Sequence, residues 1–227
     1  MSDLFINVRA VLSFFDEDVA VSRHSNAIKT MAGEEFMFAL LIEYLSRSGY
    51  KSELLDKACT TGHQRGHRLD GWLVVRKENS EEAPFYYQVE VKSWSAHGVG
   101  SGARFVNRMA TADALAAYRQ EMWSKYWTNG RFVEDGLNKV LTPMKCPNAS
   151  AEVKPLACLW SPIHPSGDAI PFFSVKVAPS QHFDEVFVFS ASSFLRNIEA
   201  KEPTLKLQLP QLAKRMEWIN ALFMSHA

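Results

Sequence analysis

Three ionisable residues stand out because they occur where a buried strand should be apolar. Asp70 lies in the segment 68–75, and Glu90 and Lys92 lie in the segment 85–94. Both segments are rich in the β-branched and aromatic residues that favour strands. Side chains alternate between the two faces of a strand, so Glu90 and Lys92 share one face. Burying such charges is costly unless they are paired or bind a metal, so this placement indicates a functional site.

The acidic-x-Lys pattern of Glu90 occurs twice more in the chain, and its context decides which match matters. The other matches are Glu152-Val-Lys154 and Glu199-Ala-Lys201. The first follows a turn-like stretch and precedes a proline, and the second ends a helical pattern, so we expect neither on a strand. The Glu90 match alone lies in a β-rich segment preceded by a strand with an aspartate. The competing interpretation is an ion pair on an edge strand.

An aspartate followed twenty residues later by Glu-x-Lys resembles the PD-(D/E)XK nuclease superfamily, which has the restriction-endonuclease-like fold. The motif resemblance covers residues 33–94, and the order of elements extends it loosely to about residue 200. The resemblance implies an α/β protein with a three-layer αβββαβ core. A central mixed sheet would be flanked by helices, and extra C-terminal strands and a helix would follow. It also implies a DNA endonuclease that hydrolyses phosphodiester bonds with Mg²⁺ or Mn²⁺ as cofactor.

The resemblance also implies roles for individual residues. Asp70 and Glu90 would hold one or two metal ions through carboxylate oxygens, and Lys92 would orient the attacking water or stabilise charge on the phosphate. In many members a helix before the first core strand adds a glutamate to the metal site. Glu34 matches that position best, because it falls within the apolar stripe of the helix predicted over 34–50, and Glu35 is the alternative. Both could instead be first-turn glutamates favoured by the helix dipole.

Two loops beside these strands carry basic residues that are candidate contacts for DNA phosphates. They are His63, Arg65, His67, Arg68, His97, Arg104 and Arg108. The spacing of Cys59, His63 and His67 would also place three zinc-type ligands on one face of a helix. The intervening glycines favour a loop, and no fourth ligand is nearby, so zinc is the weaker interpretation. An ordinary solvated loop remains the alternative for both stretches.

Composition limits the function classes without choosing among them. The 25 Lys and Arg residues balance the 25 Asp and Glu residues, so net charge gives no support for DNA binding. A nuclease can rely on a local basic strip, yet neutrality leaves open a catalytically inactive member of the same fold that binds nucleic acid or assists assembly. A homodimer, or a partner protein that supplies specificity, is also open.

The chain shows no apolar run of the roughly 20 residues that a membrane-spanning helix needs, and we expect neither a membrane span nor a signal peptide. Its 3 scattered cysteines fit the reducing cytoplasm.

We expect one domain over residues 1–227, in which 1–32 form an N-terminal extension, 33–200 the core, and 201–227 a C-terminal strand and helix. Within the extension, residues 4–15 predict a short helix. Residues 109–127 predict the long helix that crosses over one face of the sheet.

Overall fold

The computed structural model describes residues 3–16, 22–55, 69–91, 138–160, 164, 166, 169–177 and 182–222. These residues form eight strands and five helices in a mixed α/β arrangement. In chain order they are β1 Asp3–Asn7, α1 Val8–Asp16, α2 Ser22–Arg47, β2 Tyr50–Leu54, β3 Gly71–Lys77, β4 Phe85–Val91, α3 Asn138–Leu141, β5 Val153–Leu159, β6 Phe172–Lys176, β7 Glu185–Ser190, α4 Ala191–Glu199, β8 Thr204–Gln208 and α5 Pro210–Leu222.

Six strands form one mixed sheet in the order β2-β3-β4-β5-β7-β6. The strands β2, β3 and β4 form an antiparallel meander, in which β3 overlaps the predicted strand segment 68–75 and β4 lies within the predicted segment 85–94. The strand β5 then runs parallel to both β4 and β7. A parallel pair requires a long crossover connection, and residues 92–152 provide the length for one. The predicted crossover helix over 109–127 lies outside the described residues.

The main core lies between the sheet and the helices α1, α2 and α4. Apolar side chains of α2 such as Leu40 and Leu41 are fully buried there, together with Leu73 of β3 and Val89 of β4. The opposite face of the sheet carries Trp72, which packs with Leu69 and Met144. Apolar residues on both faces of the central strands explain why the β5 segment is a continuous apolar run. No helix in the described part of the chain is long and apolar enough to cross a membrane.

The helix α2 contains a sharp kink at Gly33, whose φ of 63° and ψ of −165° are not helical. This conformation is open to glycine and strained for residues with a Cβ. The regular part that follows matches the helix predicted over 34–50. Gly49, with φ of 81°, ends it in the left-handed conformation typical of a helix C-terminus.

The prediction of a helix over residues 4–15 was wrong for its first part. Residues 3–7 form β1, which pairs antiparallel with β8 in a separate two-stranded sheet, from Asp3 opposite Gln208 to Asn7 opposite Thr204. The N-terminal extension and the C-terminal addition therefore fold together. Pairing across about two hundred residues is invisible to local periodicity, so the helix-like pattern of the following residues dominated the prediction.

Candidate active site

The β3–β4 hairpin brings Asp70 beside Glu90. Gly71 is paired with Val89, so continuing the antiparallel register by one step sets Asp70 opposite Glu90. The Val91 backbone N–H donates a hydrogen bond of 2.7 Å to Asp70 Oδ2. Asp70 therefore lies at the open end of the hairpin. Its carboxylate is bonded to the backbone of Val91, the residue between Glu90 and Lys92 in sequence.

Glu90 is buried, with only 2% of its surface exposed. Alternation along β4 puts it on the face away from α2, whereas Val89 faces the main core. On the neighbouring strand β5 it is paired with Ala157, which is fully buried. A carboxylate in such surroundings needs a compensating charge, a proton or a metal ion. The prediction that this glutamate occupies the interior of the sheet is confirmed.

Glu34 begins the regular part of α2, directly after the kink, and is exposed. It lines a cavity of about 840 Å³ whose walls also include Asp70. This cavity lies among α2, β2, β8 and α5. The apolar stripe to which the sequence assigned Glu34 is real, since Met37 and Leu41 are fully buried, and Glu34 lies at its exposed end. Glu34 of the helix and Asp70 of the hairpin therefore line the same cavity.

Glu35 performs a structural task at the start of α5. Its Oε1 accepts a hydrogen bond of 2.9 Å from the Gln211 N–H, and its Oε2 accepts one of 2.8 Å from the Leu212 N–H. Pro210 has no N–H, and the residue before it, Leu209, has no side chain that can cap a helix. Glu35 therefore replaces the missing N-cap side chain, which favours Glu34 over Glu35 as the metal-binding glutamate.

Two side chains of the site carry the oxygen atoms that a hard divalent cation prefers as ligands. Asp70 and Glu90 supply carboxylate oxygens from adjacent strands, the ligand type that Mg²⁺ and Mn²⁺ prefer. Among the residues that the structure describes, no three His, Cys, Asp or Glu side chains are grouped closely enough to hold one metal ion. The described geometry thus supports a site of two carboxylates, Asp70 and Glu90, and Asp70 shares a cavity with Glu34.

The charge of Asp70 also reaches the neighbouring strand β5. Cys158, which is paired with Val91, is fully buried. Burial raises the pKa of the Cys158 thiol well above its ordinary value, and the negative charge of Asp70 raises it further. This thiol is therefore protonated at neutral pH and is no nucleophile.

The remaining predicted site residues lie outside the described part of the chain. They are Lys92 and the loop residues His63, Arg65, His67, Arg68, His97, Arg104 and Arg108, with Cys59 of the weaker zinc interpretation. Of the two other acidic-x-Lys matches, the one at Glu152 was expected off a strand, but Lys154 lies in β5. Glu152 instead forms a 3.3 Å ion pair with Lys154. The match at Glu199 does end a helix, α4.

Two cations of the cavity were not identified from the sequence. Lys206 of β8 and Arg215 of α5 both line it. Lys206 also forms a 2.7 Å ion pair with Asp3 of β1. No motif marks either residue, because each reaches the cavity through the tertiary packing of the C-terminal addition.

The chain was compared with models of protein families, with curated proteins and with solved structures, and none of the three comparisons produced a match. What the site does is therefore inferred from its own residues.

Proposed function

We propose that this chain is a metal-dependent deoxyribonuclease that hydrolyses phosphodiester bonds with Asp70, Glu90 and Lys92. The observation that carries the proposal is the hairpin register, which sets Asp70 opposite the buried Glu90. The order of α2, β2, β3 and β4, followed by β5 parallel to β4, supports the restriction-endonuclease-like αβββαβ core. DNA is the proposed partner and the cytoplasm the proposed location.

Asp70 and Glu90 would hold Mg²⁺ or Mn²⁺, and Glu34 is the candidate for a further oxygen ligand from the cavity wall. Such an ion, when bound, polarises the scissile phosphate and lowers the pKa of a coordinated water. The Val91 N–H fixes the Asp70 carboxylate, so its position is set before substrate arrives. Burial of Glu90 keeps its carboxylate in surroundings where electrostatic interactions are stronger than in water.

Lys92 follows Glu90 by two residues, a spacing that on an extended strand would place both side chains on one face. Its ammonium group would orient the attacking water or offset the negative charge that develops on the phosphate. Removing one such contact from a transition state lowers a rate by about 10²–10³.

The proposal is tested by cleavage of plasmid and oligonucleotide DNA with Mg²⁺ or Mn²⁺ and with EDTA. Wild-type protein should cut only with the metal. Asp70→Asn, Glu90→Gln and Lys92→Met should each cut at least about a hundredfold more slowly. Asp70→Asn is preferred to alanine because the amide oxygen can still accept the Val91 N–H.

The matched control is Glu152→Gln. It changes the glutamate of another Glu-x-Lys match, one that forms an ion pair with Lys154, and this variant should cut at the wild-type rate. Cleavage that persists in EDTA, or a fully active Asp70→Asn variant, would contradict the proposal. DNA binding without cleavage by the wild-type protein would instead favour the inactive-member interpretation.

A further inference from the structure

Gln88 is a fully buried polar side chain on β4, the strand that also carries Glu90. The two residues are two positions apart, so they lie on the same face of the sheet. The Gln88 Nε2 donates hydrogen bonds to the carbonyls of Val140 and Thr142. Its Oε1 accepts a hydrogen bond of 3.2 Å from the Met144 N–H. Because all three bonds go to the backbone of one segment, the amide fixes that segment on the face of Glu90.

The segment that Gln88 fixes lies against the start of β3. The helix α3, with which the segment begins, packs on both β4 and β5. The side chain of Met144 packs with the buried side chains of Leu69 and Trp72. Leu69 directly precedes Asp70, and Trp72 follows it by two residues. Met144 therefore packs on both sides of the backbone from which Asp70 projects.

Asp70 depends on such packing because it lies just before the paired part of β3. The described pairing of β3 with β4 begins one residue later, at Gly71. The Asp70 carboxylate accepts the hydrogen bond of 2.7 Å from the Val91 N–H on β4. This bond requires the backbone at Asp70 to stay at a fixed distance from β4. The packing of Leu69 against Met144 restrains that backbone.

Gln88 is thus connected to Asp70 by contacts that begin and end on β4. From Gln88 they lead through the 140–144 segment to the start of β3, and the Asp70 carboxylate returns them to the Val91 N–H. We propose that Gln88 is a positioning residue of the candidate active site, which holds the Asp70 carboxylate in place. The role of Asp70 as a metal ligand rests on the proposed nuclease function, whereas its dependence on Gln88 is measured without metal.

The first measurement is hydrogen exchange of backbone amides in the metal-free protein, followed by NMR. The Val91 amide reports on its bond to Asp70, and the Ala157 amide of the adjacent strand β5 reports on opening of the sheet. Gln88→Leu should speed exchange at Val91 by about tenfold or more beyond any change at Ala157, the scale of losing a buried hydrogen bond. Equal acceleration at both amides, or none at Val91, overturns the proposal.

The second measurement is calorimetric titration of the same variants with Mn²⁺, at a temperature where circular dichroism shows each to be folded. Loss of a residue that orients a metal ligand weakens metal affinity about 10- to 100-fold, and we expect Gln88→Leu to fall in this range. Wild-type affinity in the folded variant overturns the proposal. A wild-type protein that binds no Mn²⁺ contradicts the proposed nuclease function, and the exchange at Val91 still decides whether Gln88 positions Asp70.

Met144→Ala decides the question if Gln88→Leu does not fold. It keeps the backbone N–H that Gln88 accepts and removes the side chain that packs on Leu69, so it should show the same two changes. Met144→Leu restores an apolar side chain of similar size and should return both quantities to their wild-type values. Wild-type exchange at Val91 in Met144→Ala overturns the proposal.

The matched control is Val186→Ala. It removes part of a fully buried side chain near the amino end of β7, whereas Val91 lies at the carboxyl end of β4, which runs in the same direction. This variant should lose stability but keep the wild-type Mn²⁺ affinity and the wild-type ratio of exchange at Val91 to exchange at Ala157. A control that changes this ratio as much as Met144→Ala does would overturn the proposal, because any loss of core packing would then produce it.

Discussion

The neighbouring glutamates of α2 have different tasks, and substituting each in turn should separate them. Glu35→Ala removes both hydrogen-bond acceptors of the first turn of α5, the bonds of 2.9 Å and 2.8 Å from Gln211 and Leu212. The next donor, the Ala213 N–H, already bonds to the Leu209 carbonyl and cannot compensate. The helix would then begin with two backbone N–H groups that only water can satisfy.

Losing an N-cap side chain costs about 0.5–2 kcal/mol, and loss of the negative charge at the helix N-terminus adds a few tenths. We expect Glu35→Ala to lose about 1–2 kcal/mol of unfolding free energy, because these bonds are only partly buried. For a chain of this size, 1 kcal/mol corresponds to roughly 2–4 °C in Tm, so Tm should fall by about 2–8 °C. Glu35→Gln keeps one oxygen acceptor and should lose about half as much.

The assay is thermal unfolding followed by circular dichroism, with DNA cleavage measured on the same preparations. Glu34→Ala is the matched comparison, because Glu34 is exposed beside Glu35, and we expect it to lower Tm by less than Glu35→Ala does. Under the proposed function Glu34→Ala loses cleavage, whereas Glu35→Ala retains it well below its Tm. The reasoning is refuted if Glu35→Ala melts with the wild type, or if Glu34→Ala is the less stable of the two.

Four further substitutions test contacts that stabilise the fold around the site. Gly33→Ala should cost about 1–3 kcal/mol in urea unfolding, because it combines a strained φ of 63° with a Cβ 3.2 Å from a guanidinium nitrogen. Gly49→Ala, strained at φ of 81° but with nothing within 4 Å, should cost less, and an equal loss would contradict the role of the contact. Gln88→Leu should cost at least about 3 kcal/mol in the same assay, since its buried amide donates to two backbone carbonyls and accepts from one N–H, all in the 140–144 segment. A urea midpoint for Gln88→Leu equal to that of the wild type would show that the 140–144 segment does not depend on Gln88. Arg47 lowers the pKa of Glu202 below its ordinary value, so their contribution to stability is present at neutral pH and lost as pH falls through that lowered pKa. The Tm difference between wild type and Glu202→Gln should therefore shrink below about pH 4.5. A Tm difference that grows as the pH falls would contradict a stabilising ion pair between Arg47 and Glu202.

The central hairpin could be predicted from the sequence because its signals are local. Alternation, strand-forming residues and a polar linker define β3 and β4, and charged residues mark Asp70 and Glu90 against the apolar background. The burial of Glu90 to 2% exposure agrees with that expectation.

What the sequence could not supply depends on contacts between distant segments. The strand β1 is stabilised by β8, and the capping role of Glu35 exists only because α5 packs against α2. The sequence alone does not distinguish Glu34 from Glu35, because only the packing of α5 against α2 gives Glu35 its capping role. Arg215 was missed for the same reason, since its position in the cavity follows from that packing.

The most direct test of the proposed active site is a crystal of the protein soaked in Mn²⁺, with anomalous scattering used to locate the ion. We predict a peak between Asp70 and Glu90, about 2.0–2.3 Å from an oxygen of each carboxylate. The same soak of Asp70→Asn should show that peak strongly weakened. Strong Mn²⁺ peaks elsewhere in the molecule with none between these two side chains would contradict the account.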